Sequence, residues 1–250
     1  MAQPQRIVSG AWPATRLWWL RWEYCLQPES AGGYAAAISH TGQRRRKLPA
    51  AAQRLGYQHR VRVHSGSSYT AQAMIMTDNA NNQITAFHPG AMMQAHLTHI
   101  TPHADIRIGI ISPDGRDAML QHAAQFKAAD IPFVFDPGQG LPMFDGVNLR
   151  HFIEQATWVA VNDYEGKMLS DRTGLTPAAI SQRVQGLVIT LGAEGCEVWV
   201  DGQKTHVPPV APTAVVDPTG CGDAFRGALL FGLERGWPLS QCAALGNQVG

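Results

Sequence analysis

From about residue 68 onward, short β-rich apolar runs alternate with helix-like stretches, and this alternation restricts the chain to a doubly wound α/β architecture. Tyr69 to Thr77 reads as a strand, 78–82 as a turn and Gln83 to Phe87 as the returning strand. Ile106 to Ile111, Pro132 to Phe135, Trp158 to Val161 and Leu187 to Leu191 are β-rich runs of the kind a parallel sheet buries on both faces. Helical patterns lie between them. Arg116 to Ala129, Leu149 to Ala156 and Thr176 to Val184 fit, the last opened by Thr176 as N-cap with Pro177 at the first helical position. In such sheets ligands bind outside the carboxyl ends of the strands. Asp136, Asn162, Thr190 and Asp217 each follow a strand-like run at that end, so one shared cleft is expected. With 250 residues, 45% of them hydrophobic, the chain can bury the core of one such domain.

Chemistry concentrates in Asp217-Pro218-Thr219-Gly220-Cys221-Gly222-Asp223-Ala224-Phe225-Arg226-Gly227. A β-rich approach, Thr213 to Val216, precedes this run, and Ala224 to Leu233 follows with apolar residues at near-helical spacing. The turn therefore belongs at a helix N-terminus, where backbone N–H groups lack intrahelical partners and the macrodipole favours negative charge. N–H groups at Gly220, Cys221 and Gly222 are placed to hold charge building on a transferring phosphoryl group, and Asp223 to accept the proton of an attacking hydroxyl. The alternative is a tight connection in which the aspartate merely caps the helix.

Asp-x-Thr-Gly-x-Gly-Asp resembles the second signature of the ribokinase-like (PfkB) family of carbohydrate and nucleoside kinases. The form with Pro218 and a following Ala-Phe-Arg resembles its bacterial adenosine kinase branch. Asn162-Asp163-Tyr164-Glu165 is similar to the family's Asn-x-x-Glu, and Thr190-Leu191-Gly192-Ala193-Glu194-Gly195 to its Thr-x-Gly-x-x-Gly nucleotide turn. Ala86 to Met92 resembles the adenosine kinase segment that lays an aromatic ring, here Phe87, against the nucleoside. Phe135 to Gln139 resembles another substrate-side stretch, with Gln139 as the polar contact. Together these cover roughly residues 68 to 250. The resemblance implies a three-layer α/β/α fold with a mostly parallel sheet and a small lid, and ATP as phosphoryl donor to a nucleoside or sugar, foremost the 5′-hydroxyl of adenosine. It implies Mg²⁺ whose waters Asn162 and Glu165 organise, and a nucleotide site including Asn162, Glu165, Thr190, Gly192, Gly195, Asp217 and Thr219. A sugar kinase of the same family and a catalytically defective, ligand-binding relative are the alternatives.

Other phosphate codes are absent. The only Gly-Lys pair, Gly166-Lys167, is followed by Met168, so there is no P-loop; Phe225 stands where a dinucleotide fingerprint needs its third glycine. Protein-kinase signatures are missing. A net charge of +1 gives no nucleic-acid footprint, and no run approaches the roughly twenty apolar residues of a membrane helix. The expected partner is a small molecule, without nucleic acid or membrane, and homodimerisation is left open. Cys25, Cys196, Cys221 and Cys242 are scattered without metal-ligand spacing, which favours free thiols and a cytoplasmic setting. Cys221 occupies a position where the family usually carries Ala, so it reads as a small side chain rather than a nucleophile. His96, His99 and His103 would share a helix face, but Pro102 interrupts it, and solvated imidazoles are the expectation over a metal site. Arg44-Arg45-Arg46-Lys47 reads as solvated surface.

The first sixty residues depart from this pattern. Ten of the twenty Lys and Arg fall within residues 1 to 62, opposed only by Glu23 and Glu29, and no Asp precedes Asp78. Trp12, Trp18, Trp19 and Trp22 crowd the same region. Family members place here an Asp for the sugar hydroxyls and a Gly-Gly pair followed by Asn. Only Ala31-Gly32-Gly33 echoes the pair, making Gly33 a substrate-side candidate. The expected organisation is thus an aberrant or divergent segment over 1–60 and a kinase core over 61–250 that stops short of the family's C-terminus. A frame disruption or mis-called start would leave the chain as given with little activity; a divergent lid is the competing account.

Overall fold

A computed structural model describes residue 69 and residues 71–77, 83–100, 106–211 and 220–250. Two strands, β1 (Gln72–Thr77) and β2 (Gln83–His88), pair antiparallel with Ala73 opposite Phe87. They form a small sheet of their own, beside a six-stranded sheet in the order β3-β4-β5-β6-β7-β8. Strands β3 (Gly109–Ile111), β4 (Phe133–Phe135), β5 (Trp158–Asn162) and β6 (Gly186–Thr190) run parallel, and β7 (Cys196–Val200) and β8 (Gln203–Val207) extend the sheet antiparallel.

The parallel strands read as near-continuous apolar runs because both faces are covered. Along β4, Phe133 and Phe135 enter one core and Val134 the other; β5 divides Val159 and Val161 from Ala160, and β6 divides Leu187 and Ile189 from Val188. The first core is completed by helices α1 (Arg116–Ala128), α2 (Gly146–Gln155), α3 (Asp163–Thr173) and α4 (Pro177–Ser181). Phe135, Phe152 and Phe144 stack and tee there at centroid distances of 4.5 and 5.0 Å. The second core lies under α5 (Cys221–Glu234) and α6 (Leu239–Val249), through Phe225, Leu229, Leu230, Leu233, Leu239 and Cys242. Each fully buried side chain of this size contributes about 1.5–3 kcal/mol. The result is the expected three-layer α/β/α arrangement of a ribokinase-like fold.

The differences from the sequence reading have physical causes. Only Gly109–Ile111 of the run 106–111 joins the ladder, because β4 offers three residues to pair with; Ile106 and Ile108 pack instead against opposite cores. Thr176 caps α4 through Ala179 N–H at 3.2 Å, but the helix ends at Ser181. The β7–β8 hairpin turns at Asp201-Gly202, both at positive φ (49° and 78°), as a two-residue type I′ connection requires. The first strand begins at Gln72, and the turn over 78–82 lies outside the described residues. Among the described residues, no helix is long and apolar enough to cross a membrane.

Candidate active site

Helix α5 presents its N-terminus at the carboxyl side of the sheet. Its N-cap, Gly220, sits at φ 86° and ψ −3°, a left-handed conformation that glycine adopts without strain. Cys221, Gly222 and Asp223 form the first turn, and the first intrahelical bond runs from Ala224 N–H to the Gly220 carbonyl at 2.9 Å. The N–H groups ahead of Ala224 are those the helix itself does not satisfy. Among the described residues, apart from chain neighbours and the helix's own backbone, no atom lies within 4 Å of where a side chain would begin at Gly220 or Gly222. Asp223 is half-buried in this first turn. It is the third helical residue, the N-cap being Gly220.

Asn162 and Thr190 are brought side by side, paired in register at the ends of β5 and β6. Asn162 Oδ1 accepts from Glu165 N–H at 2.7 Å, and Glu165 Oε2 accepts from Asn162 N–H at 2.8 Å. The Asn-x-x-Glu pair is therefore a reciprocal capping box that opens α3. A carboxylate carries about four lone-pair sites, more than the box uses, and Glu165 also bears on the Arg226 charge. These groups suit outer waters of a metal. No cluster of three or more His, Cys, Asp or Glu among the described residues is arranged for direct ligation. After β6, Gly192 opens a 3₁₀ turn (Gly192–Glu194) closed by Gly195, whose carbonyl accepts from Leu191 N–H at 2.8 Å; among the described residues nothing beyond chain neighbours lies within 4 Å of where a side chain would begin at Gly192.

Phe87 stands on β2 with 53% of its surface exposed. Gln139 lies exposed in the 3₁₀ turn Gly138–Met143 that follows β4. Asp217, Thr219, Gly33 and His103 lie outside the described residues. His99 Nδ1 is engaged by Gln121 and Gln125 at 3.0 and 2.9 Å, and His96 Nδ1 by the Met93 carbonyl at 3.2 Å.

Sequence reading passed over Arg226. It sits one turn beyond Asp223, only 9% exposed, on the helix face that otherwise buries Phe225, Leu229 and Leu230. Its Nε and Nη2 donate to the two oxygens of Asp136, the residue after β4, at 3.2 and 3.3 Å. Burial disfavours the guanidinium charge, yet Asp136, Glu165 and Asp223 together outweigh it and hold the group more firmly protonated than usual. The one signal in the sequence was an arginine within an apolar helical stripe.

The model of the pfkB family carbohydrate kinases matches residues 31–250. The chain belongs to the PfkB family. It is 29% identical over 184 residues to a nucleoside kinase of Methanocaldococcus jannaschii, a match covering 73% of this chain and 60% of that protein. It thus spans about three-fifths of that relative's length. Burkholderia thailandensis nucleoside kinase, solved in complex with inosine, superposes with a TM-score of 0.82 at 46% identity, over 87% of this chain and 72% of that one. An adenosine kinase from Sinorhizobium meliloti shares the PfkB fold with a TM-score of 0.64, at 19% identity over 87% of this chain and 71% of that one.

Proposed function

We propose that this chain is a nucleoside kinase, transferring the γ-phosphoryl group of ATP to the 5′-hydroxyl of a purine nucleoside, adenosine or inosine, in a cytoplasmic setting. The observation that carries the reading is the α5 turn. A glycine-built helix start, whose first N–H groups the helix itself does not satisfy, and a carboxylate three residues along share one turn. There Asp223 takes the proton of the attacking hydroxyl, while the N–H groups of Gly220, Cys221 and Gly222 hold the charge on the transferring group. Thr190, Gly192 and Gly195, with Asp217 and Thr219, form the nucleotide side. Phe87 and Gln139, with Gly33, form the nucleoside side. Mg²⁺ would neutralise charge on the nucleotide phosphates, its waters held by Asn162 and Glu165.

The purine reading is supported by the 46% identity to a nucleoside kinase solved with inosine and by the exposed ring of Phe87. The test is a coupled ADP-release assay with adenosine, inosine, cytidine and ribose, run on the chain as given and on a version with a family-like N-terminus and extended C-terminus. Purine nucleosides as the preferred acceptors support the proposal. Preference for ribose assigns a sugar kinase, and no acceptor-dependent ADP release from either protein overturns it. Comparable turnover in both shows that residues 1–60 work as a divergent lid.

A further inference from the structure

Helix α5 must be held in register with the sheet if its first turn is to do chemistry, yet its packing on that sheet is made almost entirely of Phe225, Leu229, Leu230 and Leu233. Apolar contacts fix how deep a helix lies far better than how it is rotated or advanced along its axis, because they are non-directional. Arg226 breaks this apolar face with a directional contact. Its planar fork meets both oxygens of Asp136, a geometry that specifies orientation as well as distance. Asp136 is itself anchored, its N–H donating to the Ile111 carbonyl at 2.8 Å between the ends of β3 and β4. Taking such a pair out of water is costly, and similar volume could be filled by apolar side chains at no loss of stability. What those side chains would not supply is orientation.

We propose that Arg226 is the positioning residue of this site: its fork to Asp136 sets the rotation and advance of α5 against the carboxyl end of β4, and so places the Gly220–Gly222 N–H groups and the Asp223 carboxylate. The inference rests on the phosphoryl-transfer reading of the α5 turn. One turn of helix separates Arg226 from Asp223, so loosening the fork displaces the reacting groups directly, and a displacement of about 1 Å costs on the order of a hundredfold in rate.

The chain carries its own reporter. Cys221 is the first residue of α5 and a half-buried free thiol, whereas Cys196 and Cys242 are buried and their thiols pushed up to about 11. The experiment takes the full chain and its Arg226→Met, Arg226→Lys and Asp136→Asn variants, each confirmed folded by near-ultraviolet circular dichroism. The rate of Cys221 modification by 5,5′-dithiobis(2-nitrobenzoate) is then read peptide by peptide by mass spectrometry, alongside kcat and KM for adenosine. The proposal expects all three variants to change the Cys221 rate at least fivefold. The double variant Arg226→Met/Asp136→Asn should go no further than either single change, because both remove one contact. In kinetics, kcat falls about a hundredfold with KM within threefold, and Arg226→Lys, which keeps the charge but not the fork, does not rescue it. Cys221 rates within twofold of the parent in every folded variant overturn the proposal, as does full kcat with Lys. If neither the parent nor the extended version shows transfer, the kinase reading fails while the Cys221 rates still decide whether the fork holds the turn.

Discussion

Asp114 follows β3 on the same side of the sheet as the α5 turn, and its carboxyl is pushed up from 3.8 to about 6. Burial raises it, and the hydrogen bond that Oδ1 accepts from Gly115 N–H at 2.7 Å only partly opposes this. The native state therefore holds this proton more tightly than the unfolded chain does. Stability contributed by the group is fully present below about pH 4 and is lost as the pH rises through about 6. The gap corresponds to about 3 kcal/mol when fully developed, at about 1.4 kcal/mol per tenfold step. Asn at this position keeps the acceptor for Gly115 and cannot ionise. Asp114→Asn is thus expected to stabilise the protein at pH 8 by about 1–3 kcal/mol and to converge on the parent near pH 4. For a chain of this length that is a rise in Tm of roughly 2–12 °C. The assay is urea unfolding of both proteins at intervals from pH 4 to 8, read as the difference in midpoint. A constant difference across that range, or a less stable variant at pH 8, refutes the reasoning.

Phe87→Ala should raise KM for a purine nucleoside about tenfold, since a base–aromatic stack contributes on the order of 1–3 kcal/mol; steady-state kinetics with adenosine and inosine check this, and an unchanged KM removes Phe87 from the nucleoside side. Asn162→Ala breaks the capping box that opens α3 and is expected to cost about 1 kcal/mol in thermal unfolding. His122 is held below its ordinary pKa, first by burial and further by His99 and His96, against the Thr98 carbonyl 2.7 Å from its Nε2. Its contribution is present above about pH 6.5 and is lost on acidification, so His122→Gln should narrow the gap to the parent, or reverse it, between pH 7.5 and 5.5 in the same unfolding assay.

Much of the fold was legible because the parallel strands are buried on both faces, so Phe133 to Phe135 and Leu187 to Ile189 stand out as uninterrupted apolar runs. The antiparallel extension was not read, although Asp201-Gly202 between β7 and β8 is a strong hairpin signal. Helix α3 escaped for a different reason. Its capping box is also the Asn-x-x-Glu of the family resemblance, and a chemical reading of those residues hid their local role. The start of α5 at Gly220 and Cys221 was legible, since glycine spacing and helix start are local properties, while 212–219 lie outside the described residues. Arg226 was not, because its partner lies 90 residues away and nothing in the spacing announces it.

The most direct measurement of the central claim compares phosphoryl transfer from ATP to adenosine by the protein and by Asp223→Asn, in the extended version beside the chain as given, with ADP affinity measured on each by calorimetry. The account requires kcat to fall by roughly two to four orders of magnitude while the Kd for ADP stays within about threefold, because the carboxylate handles a proton that moves only in the reaction. A loss of less than tenfold would show that the base lies elsewhere and that the α5 turn is a tight connection with no part in the chemistry.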